Sequence, residues 1–169
     1  MEYMVIKMSE LVIMNGNWKQ EIMDSWHEPN IGERIDICND NFLDTIWEMS
    51  LTAFDIPREV QVVVDDNNNL YISVGNPGFV WFETPPIGLK LPLKCWIHTH
   101  PFGKAYFSGT DWRTIRTWEP VLSQAIVLGG DEWMTWFKGD EHTCFYQKIN
   151  IPDFDNYQTL IKDWEGEEE

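Results

Sequence analysis

Cationic side chains are scarce in this sequence: 12 Lys and Arg stand against 28 Asp and Glu, a formal net charge of −16. A surface that negative repels a phosphate backbone, so nucleic acid is excluded as the expected partner. The acid excess suits a basic partner, or serves solubility. Cysteine is scarce too. Cys38, Cys95 and Cys144 are well separated and odd in number, which gives neither a disulfide framework nor a CxxC metal knuckle. The opening MEYMVIKMSELVIMNG lacks the basic start and long apolar run of a signal peptide. No stretch approaches the length needed to span a bilayer. Internal repeats and low-complexity linkers are also missing. A reducing cytoplasm, with no membrane partner, is the expected setting.

What is present points to an ordered fold. The 169 residues are 43% hydrophobic, enough for one domain with a full core. Ten Trp are available to that core or to an interface. Leu11 to Met14, Asn15-Gly16 and Trp18 to Met23 read as a hairpin around an Asn-Gly turn. Residues His27 to Gly32 read as a loop. Phe42, Ile46, Met49 and Ala53 then recur at helical spacing behind an Asp40 or Asn41 cap, and Pro57 ends the helix. Strands are expected at Glu59–Val64, Leu70–Val74, Phe79–Phe82 and Leu93–His98. A second helix runs from Asp111 to about Trp118, and further strands are expected at Ala125–Leu128, Trp133–Phe137 and Cys144–Ile149. One α/β domain with a mixed sheet fits this order best.

The chemistry concentrates in His98-Thr99-His100-Pro101 and Ser108-Gly109-Thr110-Asp111. On a strand, side chains two apart share a face, so both imidazoles can converge on one ion. Asp111, at the start of a helix, can turn a carboxylate back toward the strand end. Two imidazoles and a carboxylate suit zinc, and three protein ligands leave a fourth position open, as in a catalytic site. The bland alternatives are a surface histidine pair and a helix capping box in which Ser108 and Asp111 serve backbone N–H groups. Only four histidines exist in the chain, and two of them fall here.

His98-x-His100, seven residues, Ser108, two residues, Asp111 resembles the full signature of the JAMM (MPN-plus) zinc metalloproteases. The run Trp96-Ile97-His98-Thr99-His100-Pro101 is similar to that family's strand ending in a His-Ser/Thr-His-Pro turn. The resemblance implies a cytidine-deaminase-like JAMM/MPN fold, a mixed sheet flanked by helices, over residues 41–152. It would leave 1–40 as an N-terminal extension and 153–169 as a tail. It implies one catalytic Zn2+ on His98, His100 and Asp111, with Ser108 stabilising an oxyanion and an upstream glutamate as general acid/base. Glu48, Glu59 and Glu83 are the candidates; Glu59 follows the helix and opens an apolar strand, so it is the choice. Here the sequence departs from the family, because Gln61-Val62-Val63-Val64 lacks its small-residue/Leu-Leu run.

The implied activity is hydrolysis of an isopeptide or peptide bond at the C-terminus of a ubiquitin-like protein or its conjugates. The alternatives are a peptidase or amidohydrolase acting on a sulfur-carrier precursor or other small peptide, and a non-catalytic MPN-fold scaffold. His27, His142 and Cys144 have no spacing that supports a second zinc site. Cys95 is expected on the strand face opposite His98, as a buried structural thiol. Phe102, Tyr106, Phe107 and Trp112 bracket the motif, either packing its loop or gripping substrate.

Overall fold

Alternating and continuous apolar runs in the middle of the chain build a mixed sheet, and helices cover both of its faces. The computed structural model describes residues 4–8, 16–75, 88–140, 142–148 and 157–161. In chain order the elements are β1 (Met4–Met8), α1 (Trp18–Ser25), α2 (Ile35–Cys38), α3 (Asp40–Thr52), β2 (Val60–Val64), β3 (Leu70–Val74), β4 (Cys95–Thr99), α4 (Gly109–Trp118), β5 (Gln124–Leu128), β6 (Glu132–Phe137), β7 (Cys144–Lys148) and β8 (Tyr157–Ile161). The strand order is β1-β3-β2-β4-β5-β6-β7-β8. Six strands, β2 to β7, form the interior of the sheet, with β1 and β8 along its two edges. β4 pairs antiparallel with β2 and parallel with β5, and α4 makes the crossover between the parallel pair.

The side-chain alternation of the central strands divides the core in two. Val60, Val62, Val64, Cys95, Ile97, Ile126 and Leu128 face one layer, which is completed by Ile22 of α1 and by Phe42, Leu43, Ile46 and Met49 of α3. Val63, Trp96, Ala125, Val127, Met134 and Trp136 face the other, against Trp112 and Ile115 of α4 and Phe107 just before it. Each fully buried aliphatic or aromatic side chain contributes about 1.5–3 kcal/mol. The sheet is therefore cemented from both sides.

One sequence expectation needs correction here. Trp18 to Met23, expected as the return arm of a hairpin, is helical: Trp18, Ile22 and Trp26 follow one another at i+4 and turn toward α3. Leu11 to Met14, the other arm, lies outside the described residues, as do the expected strand at Phe79–Phe82 and the candidate Glu83. The described part of the first 40 residues also contributes to the core and the sheet. Ile22 and Asp36 are fully buried, Asp36 accepts from the Trp133 indole at 3.0 Å, and β1 pairs in parallel with β3. Asn39 clamps His27 through both its backbone N–H and its carbonyl. Similarly, part of the expected tail is a strand, since β8 pairs antiparallel with β7. Among the described residues, no helix is long and apolar enough to cross a membrane.

Candidate metal centre

β4 ends in the two histidines, and its alternation sets their direction. Cys95 and Ile97 point into the α1/α3 layer, while Trp96 and His98 point toward α4. The Trp96 and His98 rings stack, with centroids 4.3 Å apart and planes 10° from parallel. His100 follows in the turn, held by its backbone N–H to the Leu128 carbonyl at 2.9 Å. Between the two, Thr99 points the other way and is fully buried. Its hydroxyl accepts the Val60 N–H at 2.9 Å and lies 2.9 Å from the Ser50 hydroxyl, which itself donates to the Arg58 carbonyl. This polar knot ties the ends of α3, β2 and β4 together directly beneath the histidines.

Asp111 arrives from the first turn of α4. Ser108 caps that helix: the Asp111 N–H donates to Ser108 Oγ at 3.1 Å, and the Ser108 N–H donates to Asp111 Oδ2 at 3.0 Å. The capping box is thus present, and it does not compete with the histidine cluster but aims Asp111 at it. Oδ2 of Asp111 lies 3.0 Å from His98 Nε2 and 3.1 Å from His100 Nε2. The buried His98–His100–Asp111 group, with ligand atoms all within 4.8 Å of one another, could hold a metal ion. Two donors at zinc distances of about 2.0–2.1 Å around a tetrahedral ion stand about 3.3 Å apart, so the observed spacing is close to what such an ion requires.

The hydrogen bonding carries the same message. His100 Nδ1 donates to the Lys104 carbonyl at 3.2 Å, which fixes one ring proton and aims Nε2 at Asp111. Both groups facing His100 are acceptors, which favours the doubly protonated ring. Accordingly its pKa is raised: burial pushes it down, but the hydrogen bond to Asp111, the Asp111 charge, Glu59 and the Lys104 carbonyl together outweigh burial. His98 is lowered, chiefly by burial, against the pull of Asp111. Burial raises the Asp111 carboxyl, yet the two imidazoles overcome this and hold it far below the usual carboxylate range. His98 Nε2 is buried beside Asp111 Oδ2 without the direction of a hydrogen bond. A buried nitrogen left without a hydrogen bond is costly, and a metal held by His98, His100 and Asp111 would satisfy it.

Neither protein-family models nor curated protein sequences give a match to this chain.

The remaining sequence candidates separate clearly. Glu59 lies just before β2, on the strand face shared with Gln61 and Val63, and is only 7% exposed. The β2–β4 register pairs Gln61 with His98, and its continuation brings Glu59 level with His100. Burial raises the Glu59 carboxyl to about 7, with His100 lowering it and Asp111 raising it. Glu48 is exposed on α3, whose buried face serves the opposite layer. Of the bracketing aromatics, Phe107 and Trp112 are core, Tyr106 packs edge-on against His100 at 5.0 Å, and Phe102 stands 68% exposed. His27 and His142 are exposed and join no metal-binding group among the described residues. Cys95 is fully buried, on the face opposite His98 as expected. Gln61 is the residue that sequence reasoning passed over. Its signal was its place two residues after Glu59 on a strand, a buried amide among valines.

Proposed function

We propose that this chain is a zinc-dependent metalloprotease of the JAMM type, with the cytidine-deaminase-like JAMM/MPN arrangement, that hydrolyses an isopeptide or peptide bond at the C-terminus of a ubiquitin-like modifier. The observation that carries this reading is the convergence of His98, His100 and Asp111 with a buried carboxyl, Glu59, raised to about 7. A carboxyl tuned near the working pH can both take and return a proton, which is the requirement for a general acid/base. His98, His100 and Asp111 would hold zinc, which supplies Lewis acidity to a carbonyl and acidifies water. Glu59 would accept a proton from the attacking water and deliver it to the leaving amine. Ser108 Oγ accepts from the Asp111 N–H, which leaves its own O–H free to donate. It would give that hydrogen bond to the developing oxyanion.

The capping box supports a second reading, because it gives Ser108 and Asp111 a structural use that needs no catalysis. On that reading the protein is a non-catalytic scaffold whose metal only stabilises it. Zinc analysis paired with hydrolysis of ubiquitin-like conjugates separates the two. The protease reading expects about one zinc per chain, loss of zinc in His100→Ala, and a Glu59→Gln variant that keeps zinc but loses turnover by a factor of roughly 10²–10⁴. Zinc-loaded protein that cleaves no amide, isopeptide or peptide substrate would leave the scaffold.

A further inference from the structure

The two histidines differ in what stands behind them. Metal-binding imidazoles as a rule donate their second ring N–H to a carbonyl or carboxylate, which fixes the tautomer and the ring's orientation. His100 has such a partner in the Lys104 carbonyl. His98 Nδ1 is buried and has no hydrogen-bond partner. Its cross-strand neighbour is Gln61, a residue 1% exposed. Directly opposed residues of an antiparallel pair bring their Cβ atoms to about 4.5–5.5 Å, so their side chains are within mutual reach.

The Gln61 amide is already oriented. The Trp96 indole N–H can only donate, so the Gln61 atom 2.9 Å from it is the carbonyl oxygen. The same Trp96 ring lies flat on His98. The Gln61 carbonyl is thereby held at the edge of the Trp96–His98 stack, with a second lone pair unused by the indole. The Gln61 amide nitrogen is buried without a partner as well, so a small turn of the amide that keeps the Trp96 bond and brings its carbonyl to His98 Nδ1 breaks no other hydrogen bond.

Resting on the zinc reading above, we propose that Gln61 is the positioning residue of the metal centre, its side-chain carbonyl receiving the Nδ1–H of His98 while Nε2 faces the ion. Gln61 touches neither metal nor substrate in this role. It acts through His98, and Trp96 acts through Gln61.

The test compares wild type, Gln61→Met and Gln61→Glu. Methionine fills a similar volume without an acceptor, and glutamate keeps one. Zinc affinity is measured by chelator competition, and the His98 tautomer by ¹H–¹⁵N long-range correlation of the zinc-loaded protein. Urea denaturation of the metal-free forms gives their stability separately. Gln61→Met is expected to bind zinc 10–100-fold more weakly, with Gln61→Glu recovering most of the loss. Wild type should show a His98 Nδ1–H protected from exchange, and Gln61→Met should not. Equal zinc affinity in Gln61→Met and wild type overturns the proposal, as does a loss of affinity that Gln61→Glu fails to recover. If Gln61→Met does not fold, the wild-type His98 spectrum decides: an Nδ1 without a proton, or with one exchanging freely, overturns it. A wild type that binds no zinc overturns the metal reading itself, an outcome distinct from all of these.

Discussion

Replacing Glu59 by glutamine in the metal-free protein removes one titrating group from the site at almost constant shape. The folded Glu59 carboxyl titrates at about 7, against an ordinary value of 4.5, because burial disfavours its charged form. A carboxyl raised on folding contributes stability that is fully present below its unfolded value. That contribution is lost as the pH climbs through the folded value. The interval between 4.5 and about 7, at roughly 1.4 kcal/mol per pH unit, corresponds to about 3 kcal/mol. At 7% exposure the group is screened little by solvent. His98 and Asp111 are common to both proteins, so their contributions largely cancel in the difference; His100 loses the share of its upward shift that the Glu59 charge supplies. Urea denaturation in the presence of a chelator, at intervals from pH 4.5 to 8, should show Glu59→Gln gaining on wild type by about 3 kcal/mol across that range. With zinc bound, the dication favours the carboxylate and moves the same window to lower pH. A difference between the two proteins that stays flat to within about 0.5 kcal/mol, the ordinary scatter of surface substitutions, would refute the placement of Glu59 in a desolvated site.

Three further outcomes are expected. Ser108→Ala should cost about 1 kcal/mol of stability through the lost α4 cap and lower turnover by roughly 10²–10³ through the lost donor; denaturation and rate measurements read the two effects separately. Gly129→Ala would place a Cβ 2.4 Å from the Ala105 backbone nitrogen, a clash with main chain that should destabilise by about 1–3 kcal/mol and weaken zinc binding by displacing the loop between His100 and Asp111; thermal melting and chelator competition check it. A truncation starting at Asp40 should fail to fold, because it strips Ile22, Ile35 and the buried Asp36 from the α3 side of the sheet; a cooperative unfolding transition from that fragment would show that the residues before Asp40 are dispensable.

Much of this architecture could be read from side-chain periodicity. The β-branched run Val60–Val64, the near-continuous apolar runs Ala125–Leu128 and Trp133–Phe137, and the i+4, i+7 spacing of Phe42, Ile46 and Met49 each point to one element type, and each is found as expected. The histidines and Asp111 were equally legible, since a strand puts i and i+2 on one face and a cap brings a carboxylate back over it. What failed was local evidence near Gly16. An Asn-Gly pair is a strong turn signal, but the eight residues from Trp18 to Ser25 place Trp18 and Ile22 on one helical face, and tertiary packing against α3 decides the outcome. Gln61 escaped for a different reason. Its importance lies in register, and which residue of β2 stands opposite His98 is a long-range fact that neither strand encodes alone.

The knot at Thr99 has a consequence for the order of events. Its partners Ser50 and Val60 lie 49 and 39 residues away along the chain. The turn that presents His98 and His100 cannot therefore be set by local sequence. It comes into being only once α3 has docked and β2 has found β4, a non-local step that carries the loop-closure cost of a mixed sheet. Until then the histidines are two residues on an open chain, and a metal has no reason to prefer them to stray carboxylates. An ion that binds the native form alone would accordingly require this docking to be complete, and would hold the completed turn shut.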